Sequence, residues 1–251
     1  MALAPQVTEL RYHSDVLDRE LNLLVVTPPG VSAPAERPVV FFLHGLGRNP
    51  RTLFEQETTR DTLLGARVVT VHPAGLAGWY LDSRDVDGPR FQAALAEAIV
   101  LATEAFSLTT DPRRRGLGGW SMGGFGAARY AVDHPHEFGA LGTILGLLDF
   151  PNADLPADQN HRVPAHFGPA AGWPAITPLA GIAKLTSLAH WQGTGDQAFD
   201  RTMNERWDAR LTEMGVVHTF PDIRRRTHLC RGRRGAARVL EFFATSLLPA
   251  G

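Results

Sequence analysis

One serine stands in a pattern that can turn its hydroxyl group into a nucleophile. Residues 119–123 read Gly-Trp-Ser-Met-Gly, which fits the G-x-S-x-G pattern of a sharp turn between a strand and a helix. Such a turn strains the backbone of the serine and leaves no room for side chains two positions before and after it, where this chain has glycine. Ser121 is therefore the predicted nucleophile, and a plain glycine turn before a helix is the alternative.

A serine hydroxyl needs a base that takes its proton, and the base needs a carboxylate that holds it. In proteins with this turn the order along the chain is serine, acid, histidine. Among ten histidines, His218 and His228 come late enough to satisfy that order. His218 lies inside a predicted strand, whereas His228 is predicted to lie in the loop between the last strand and the last helix. His228 is therefore the predicted base.

Three aspartates compete for the role of the acid. Asp196 follows a predicted strand within the sequence Gly-Thr-Gly-Asp, where a loop could carry it to the histidine. Asp200 is explained better as the N-cap of the next helix, and Asp222 is a third choice. The predicted triad is Ser121, Asp196 and His228.

Acyl transfer also requires two N–H donors directed at the oxygen that becomes negative. The amide of Met122, the residue after the nucleophile, is the first predicted donor. The second should come from residues 44–47, His-Gly-Leu-Gly, which follow the third predicted strand. Leu46 is the preferred donor, and His44 is interpreted as structural rather than as the base.

The elements that must position these residues alternate along the chain. An antiparallel pair of strands opens the fold, and continuous apolar runs then predict strands that are buried on both faces of a mostly parallel sheet. Strands are predicted at residues 7–12, 20–27, 37–43, 68–71, 115–120, 141–148, 187–192 and 216–220, and helices at residues 50–64, 91–106, 122–132, 203–214 and through the C-terminal stretch to Leu247. This order predicts an α/β fold with helices on both faces and ligands at the carboxyl ends of the strands. With 251 residues, one domain over residues 1–251 is expected.

Residues 150–178 interrupt this alternation with six prolines and three aromatic residues. The stretch is too long for an ordinary connection and predicts a cap or an insertion on the substrate side. A disordered loop is the alternative. Phe167 and Trp173 favour an ordered cap, because aromatic side chains in a disordered segment gain little from burial.

The amino-acid composition is that of an ordinary globular protein, and it excludes few functions. Hydrophobic residues make up 44% of the chain and charged residues 20%, with a formal net charge of -1, so neither nucleic acid nor an anionic membrane is an expected partner. No apolar run reaches the roughly 18 residues of a membrane span. Cys230 is the single cysteine, which rules out an internal disulfide and favours a cytoplasmic location.

No metal site is predicted. Asp82, Asp85 and Asp87 lie close together, but they lack the ligand alternation and the distal glutamate of a calcium loop. Capping of loops explains these aspartates better.

Four stretches carry a resemblance to a known family. They read Pro-Val-Val-Phe-Phe-Leu-His-Gly-Leu-Gly from residue 38, Gly-Trp-Tyr-Leu-Asp-Ser from residue 78, Gly-Trp-Ser-Met-Gly-Gly-Phe-Gly-Ala from residue 119 and Gly-Thr-Gly-Asp-Gln-Ala-Phe from residue 193. Together they resemble the putative esterase family, which includes S-formylglutathione hydrolase, feruloyl esterases and the antigen 85 mycolyltransferases. The resemblance spans nearly the whole chain and implies an α/β-hydrolase fold, a Ser-acid-His triad and no cofactor.

Carried over position by position, the resemblance places the triad on Ser121, Asp196 and His228. It also places the segment with Trp79 and Tyr80 near the active site, so both are expected in the wall of the substrate pocket, with core packing as the alternative. Trp173 is assigned to substrate contact from the insertion. The chain departs from the family after His228, where Leu-Cys follows, and in the proline-rich insertion, so the acyl group stays open.

The sequence therefore predicts a serine hydrolase of the carboxylesterase type. Its substrate would be a small-molecule carboxylic ester or thioester, cleaved through an acyl-enzyme intermediate. Two alternatives remain: an acyltransferase that passes the acyl group to an alcohol or sugar, and a non-catalytic binding module on a hydrolase scaffold.

Overall fold

The computed structural model describes residues 4–29, 37–55, 57–155, 163–196, 198–221, 223 and 228–247, with the backbone alone for Thr58 and residues 228–234. Its strands are β1 (Gln6–Ser14), β2 (Arg19–Thr27), β3 (Val39–Leu43), β4 (Val69–Pro73), β5 (Arg115–Trp120), β6 (Ala140–Ile144), β7 (Ala189–Gly193) and β8 (His218–Thr219). Its α-helices are α1 (Glu57–Leu64), α2 (Phe91–Ala105), α3 (Met122–Asp133), α4 (Arg201–Glu213) and α5 (His228–Leu247). Short 3₁₀ helices lie at Pro112–Arg114, Ala165–Phe167, Ala170–Ala175 and Pro178–Leu185.

These strands form one sheet in the order β1-β2-β4-β3-β5-β6-β7-β8. The pairs β1 with β2 and β2 with β4 are antiparallel, and all pairs from β4 through β8 are parallel. The predicted opening pair and the mostly parallel sheet are therefore confirmed. In this order β5, which ends at the candidate nucleophile, lies between β3 and β6.

The sheet separates two apolar layers. Alternate residues of β3 point to opposite faces: Phe41 packs with residues of α2, α3 and α4, whereas Phe42 packs with residues of α1 and α5. Every residue of β3 and β5 is buried, as expected for strands that read as continuous apolar runs because both faces are covered. Among the helices that the structure describes, none is long and apolar enough to cross a membrane.

The first predicted helix is shorter than expected. A start at residue 50 was wrong, since α1 begins at Glu57. The Asn49 side chain instead accepts a hydrogen bond from Arg51 N at 2.8 Å, and Thr52 Oγ1 accepts one from Asn49 N at 3.0 Å. Side chains that bond to the nearby backbone compete with a helix, and here they stabilise a turn.

Two differences affect the end of the chain. The last strand spans only His218–Thr219, shorter than the predicted residues 216–220. The prediction that His228 lies in a loop was wrong, because His228 is the first residue of α5.

Candidate active site

The junction between β5 and α3 has the geometry of a nucleophile elbow. Ser121 adopts φ 56° and ψ -117°, a left-handed conformation that costs a residue with a side chain roughly 1–3 kcal/mol. A Cβ atom at Gly119 would lie 2.2 Å from Gly123 O, and one at Gly123 would lie 2.1 Å from Leu43 O. Only glycine fits these positions, so the G-x-S-x-G pattern here is a steric requirement of the turn. Ser121 is partly exposed, whereas Met122 is buried.

The loop after β3 lies against this elbow. A Cβ atom at Gly45 would lie 3.2 Å from Trp120 O and 3.5 Å from Ser121 Cβ. Arg48 N donates to Gly45 O at 3.1 Å, which closes a four-residue turn, and Gly47 has φ 69°, the value that a type II turn requires at its third position. Leu46 is the second residue of that turn and exposes 46% of its surface. We therefore expect its backbone amide, rather than its side chain, to contribute to the site as an oxyanion donor.

Met122 supplies the other predicted donor from the first position of α3. The first N–H groups of a helix have no acceptor within the helix, and they carry its partial positive charge. The predicted donors therefore belong to two backbone segments that both adjoin Ser121. Their joint action on an oxyanion stays a prediction.

His44 holds the loop together through both ring nitrogens. Gly75 N donates to its Nε2 at 2.9 Å, and its Nδ1 lies 2.9 Å from Gly45 O. This pattern fits the neutral tautomer with the proton on Nδ1, and burial lowers the pKa of His44 below its usual value. Because both nitrogens are engaged with backbone groups, His44 is structural, in agreement with the sequence interpretation.

Trp79 and Tyr80 are buried beside the elbow. Their exposed fractions are 6% and 1%, and both have positive φ. The Tyr80 hydroxyl accepts a hydrogen bond from His44 N at 3.1 Å. Burial raises the pKa of Tyr80, so its hydroxyl remains protonated. These contacts favour the packing alternative, and direct contact with a substrate stays a prediction.

The described part of the insertion packs onto α3, the helix that follows Ser121. Phe167 is fully buried, and its ring lies 5.4 Å from the ring of Phe125 on α3 and 5.6 Å from that of Trp79. Phe150 stacks on Trp79 at 5.0 Å. Such aromatic pairs contribute about 0.5–1.5 kcal/mol each beyond the burial of their area. This aromatic cluster, formed by Trp79, Phe125, Phe150 and Phe167, anchors the insertion to α3.

Trp173 lies in the 3₁₀ helix Ala170–Ala175 of the insertion. It is partly buried against the main apolar layer, and its indole N–H donates to Gly168 O at 3.2 Å. Residues 156–162 of the insertion lie outside the described residues. A cap over the site, and contact of Trp173 with a substrate, therefore stay predictions.

The two aspartates after β7 differ sharply. Asp196 is exposed, whereas Asp200 is fully buried. Asp200 Oδ2 accepts a hydrogen bond from Thr194 Oγ1 at 2.6 Å and another from Asn204 Nδ2 at 3.1 Å. Asp200 is the N-cap residue of α4, as the sequence predicts, but its side chain makes no capping hydrogen bond.

The partners of Asp200 were missed by the sequence reasoning. Thr194 and Asn204 are both fully buried. The available signal was the spacing of Asp200 and Asn204, four residues apart and therefore on one face of a helix. Neither residue type points to an acid site by itself.

The structure describes only the backbone of His228, the predicted base. His228 begins α5, and its side chain lies outside the described residues, as does Asp222. The rival histidine is engaged elsewhere: His218 Nε2 lies 2.8 Å from Asp208 Oδ1, and its Nδ1 lies 2.8 Å from Val216 O. These contacts disfavour His218 as the base.

The described residues contain no cluster of three or more histidine, cysteine, aspartate or glutamate side chains that could hold a metal ion. Asp82 Oδ1 accepts hydrogen bonds from Gln92 N at 2.7 Å and Ala93 N at 3.0 Å. It therefore caps the first turn of α2, whereas the sequence suggested the capping of a loop.

Comparison with proteins of known structure agrees with this fold. An S-formylglutathione hydrolase from Agrobacterium tumefaciens superposes with a TM-score of 0.77 at 18% identity, covering 99% of this chain and 98% of that one. A ferulic acid esterase superposes with a TM-score of 0.76 at 19% identity, covering 98% of this chain and 100% of that one. The predicted α/β-hydrolase fold is thereby confirmed.

Sequence comparison adds a curated relative and a family. The iron(III) enterobactin esterase of Dickeya dadantii is 24% identical over 168 residues, which cover 63% of this chain but only 37% of that protein. The family model described as putative esterase matches residues 14–215. The predicted resemblance to this family is confirmed. The chain belongs to the putative esterase family.

Proposed function

We propose that this protein is a serine esterase that cleaves a carboxylic ester of a small molecule through an acyl-enzyme. The observation that carries the proposal is the strained backbone of Ser121 at the end of β5, with Gly45 packed against its Cβ atom. A strained serine at a strand-to-helix turn exposes its hydroxyl to a substrate. The family relationship supports ester cleavage.

In the first half-reaction, Ser121 Oγ attacks the ester carbonyl while its proton moves to the imidazole of His228. The oxygen of the tetrahedral intermediate becomes negative and accepts hydrogen bonds from the amides of Met122 and Leu46. One such donor is worth about 2.7–4 kcal/mol of transition-state stabilisation. The intermediate then collapses, the leaving alcohol takes the proton from the imidazolium, and the acyl group stays on Ser121.

In the second half-reaction, water replaces the alcohol. His228 removes its proton, the oxygen attacks the acyl carbonyl, and Ser121 recovers its proton as the acid leaves. A carboxylate in the loop after β7 would hold the imidazole in the correct tautomer and stabilise its charged form. The sequence favours Asp196 for this role. A thioester could follow the same steps with a thiol as the leaving group.

The experiment is hydrolysis of p-nitrophenyl acetate and of longer acyl esters by the wild type, Ser121→Ala and His228→Ala. Each variant should lose about a thousandfold or more in kcat, since the triad acts as a unit. His218→Ala serves as the matched histidine control and should retain its turnover. Undiminished turnover in Ser121→Ala or His228→Ala would reject the assignment.

Two further measurements separate the alternatives. A fluorophosphonate should phosphonylate Ser121 of the wild type with release of fluoride, so that the mass of the phosphonyl group is added there and not to Ser121→Ala, and absence of labelling would favour a binding module. With an alcohol or sugar acceptor present, a hydrolase should release mainly free acid, whereas an acyltransferase would form a new ester in preference.

A further inference from the structure

We propose that the free edge of β1 is a dimer interface, at which a second copy of this chain adds its own β1 in antiparallel orientation. The pairing is centred on Leu10 and joins two eight-stranded sheets into one. β1 is the first strand in the order of the sheet and is separated by β2, β4 and β3 from β5, which leads to Ser121. An interface at this edge therefore does not depend on the proposed esterase activity.

Half of the backbone groups of β1 point away from the sheet. Ala74 N donates to Asn22 O at 3.0 Å, so the peptide groups of Asn22 face β4 and those of the next residue, Leu23, face β1. Leu23 pairs with Leu10, which means that Leu10 and the other even-numbered residues of β1 bond to β2. The odd-numbered residues direct both N–H and C=O at the free edge. These outward residues are Val7, Glu9, Arg11 and His13.

β1 lacks the features that usually keep an edge strand from pairing. It spans nine residues without a proline, and its register with β2 runs from Gln6 to Ser14 without a bulge. Within the described part of the chain, no backbone group outside β2 bonds to the outward residues. Prolines, bulges and short length are what soluble proteins commonly use to protect such an edge. A continuous edge of this length is a template that another strand can extend.

The charges of β1 favour a second copy of the same strand as the partner. In an antiparallel pair centred on Leu10, Glu9 of each copy lies opposite Arg11 of the other, so opposite charges face each other twice. Val7 of each copy lies opposite His13 of the other. All four outward residues are then paired, and each such pair exchanges two backbone hydrogen bonds. The strand is thus complementary to itself, as a two-fold symmetric interface requires.

Neighbouring registers are less favourable. If the centre of the pairing moves by one residue, Glu9 lies opposite Glu9 or Arg11 lies opposite Arg11, and like charges directly opposite each other are destabilising. Such a shift also leaves one outward residue of each copy beyond the end of the partner strand. The register centred on Leu10 therefore pairs the charges and the backbone groups at once.

The Glu9 side chain is already positioned for this pairing. Its Oε1 accepts a hydrogen bond from Asn22 Nδ2 at 2.8 Å, and its Oε2 accepts one from Arg51 Nη1 at 2.9 Å. Leu10 packs against the apolar layer that includes α2, so Glu9 and the exposed Arg11 lie together on the opposite face of the strand. Because the carboxylate is held in place before the second copy binds, little conformational freedom is lost there on association.

The main experiment is sedimentation equilibrium of the full chain over a range of concentrations. The wild type should form a reversible dimer. Arg11→Pro should remain a monomer, because proline removes an outward N–H group and leaves the bonds to β2 intact. The matched control is Arg11→Ala, which loses the same charge but keeps the N–H group and should weaken the dimer by about tenfold at most. Circular dichroism checks that Arg11→Pro is folded, and if it is not, charge reversal decides.

Charge reversal tests the register. Glu9→Arg and Arg11→Glu each place like charges opposite each other, and each should raise the Kd of the dimer about tenfold or more. An equimolar mixture of these two variants should form a heterodimer, in which opposite charges face each other again. The double variant Glu9→Arg/Arg11→Glu should recover most of the wild-type affinity. Arg19→Glu is the control: it makes the same change of charge on β2, away from the free edge, and should leave the Kd unchanged.

Hydrogen exchange locates the interface on the strand. The amides of the outward residues should become protected as the protein concentration rises, whereas the amide of Leu10, bonded to β2, should be equally protected at all concentrations. A wild type that remains monomeric up to about 100 μM would overturn the proposal. A dimer that Arg11→Pro and the charge reversals leave intact would overturn it as well, since its interface would lie elsewhere. Protection of the outward amides by an added extended peptide without self-association would show that the occupant is not a second copy.

Discussion

The nucleophile corner, formed by the loop after β3 and the start of α3, and the acid corner, formed by the loop after β7 and the start of α4, are built by different means. At the nucleophile corner the contacts join backbone to backbone, as where Gly123 approaches Leu43 O. At the acid corner they join buried polar side chains, as where Thr194 and Asn204 bond to Asp200. The first is determined by steric exclusion and the second by hydrogen bonding.

This difference explains what each corner tolerates. Where two backbone segments touch, there is no room for a side chain, so only glycine is tolerated. The contact does not depend on the type of polar residue nearby. A buried polar cluster accepts changes of shape poorly, and each lost donor leaves an acceptor without compensation.

Leu46→Pro should remove the second oxyanion donor while keeping the turn, because proline is favoured at the second position of a type II turn and has no N–H group. We expect kcat for p-nitrophenyl acetate to fall about 10²- to 10³-fold, with a melting temperature close to that of the wild type. Leu46→Ala keeps the amide and should lose far less. If Leu46→Pro hydrolyses the ester like Leu46→Ala, the second donor is another group.

Gly123→Ala should destabilise the nucleophile corner by about 3 kcal/mol, at the upper end of the cost of overpacking, because the added carbon meets the Leu43 carbonyl at 2.1 Å. Urea denaturation measures the loss, and activity should fall with it. The control is Gly215→Ala, which meets no atom within 4 Å but has φ 69°. It should cost about 1 kcal/mol from its left-handed backbone alone and leave turnover intact. Equal losses in the two variants would contradict the steric explanation.

Asn204→Ala should destabilise the acid corner by about 2 kcal/mol, since it removes a donor to the carbonyl of Gly146 and one of the donors to the buried carboxylate of Asp200. Asn22→Ala is the matched control, because Asn22 bonds to Glu9 at an exposed position and should cost at most about 0.5 kcal/mol. Similar free energies of unfolding for both variants would show that the buried cluster contributes little.

The free energy of unfolding should fall as the pH drops from about 6.5 towards 4. Burial lowers the pKa of His190 on β7 to about 4, so the unfolded chain binds a proton more readily than the folded one throughout that window, and stability rises with pH there. His190 should account for about 1 kcal/mol of the loss between pH 7 and pH 5.5. His190→Gln keeps a donor for the Leu185 carbonyl, which His190 Nε2 meets at 2.8 Å, and removes the titration. An unchanged slope against pH in this variant would contradict the assignment.

The two corners also differ in how far the sequence predicts them. Gly119 and Gly123 predict the nucleophile elbow, because the turn has room only for glycine two residues before and two residues after the serine. Continuous apolar runs likewise predict β3 and β5, since both faces of those strands are covered. The fold class, the alternation of strands and helices along the chain and the turn at Ser121 could therefore be predicted from the residues alone.

The acid corner was harder to predict from the sequence, because the burial of a carboxylate depends on residues that are neighbours in space and not along the chain. Asp200 precedes a helix, and local propensity assigns such a residue to capping. Its carboxylate instead accepts hydrogen bonds from Asn204 and Thr194, and neither residue belongs to a recognisable sequence motif. The predicted start of α1 was wrong for a similar reason, since hydrogen bonds between side chains and backbone around Asn49 stabilise a turn in place of a helix.

Helix α3 is buried along nearly its whole length, with every residue from Met122 to Val132 shielded from solvent. The amide protons that are bonded within this helix, from Phe125 N onward, should exchange with deuterium only when the whole molecule unfolds, because a local opening would expose the core around the helix. The strained conformation of Ser121 can then relax only in a global event. The nucleophile would thus be preorganised for the whole lifetime of the native state, and a substrate would find it ready rather than induce it.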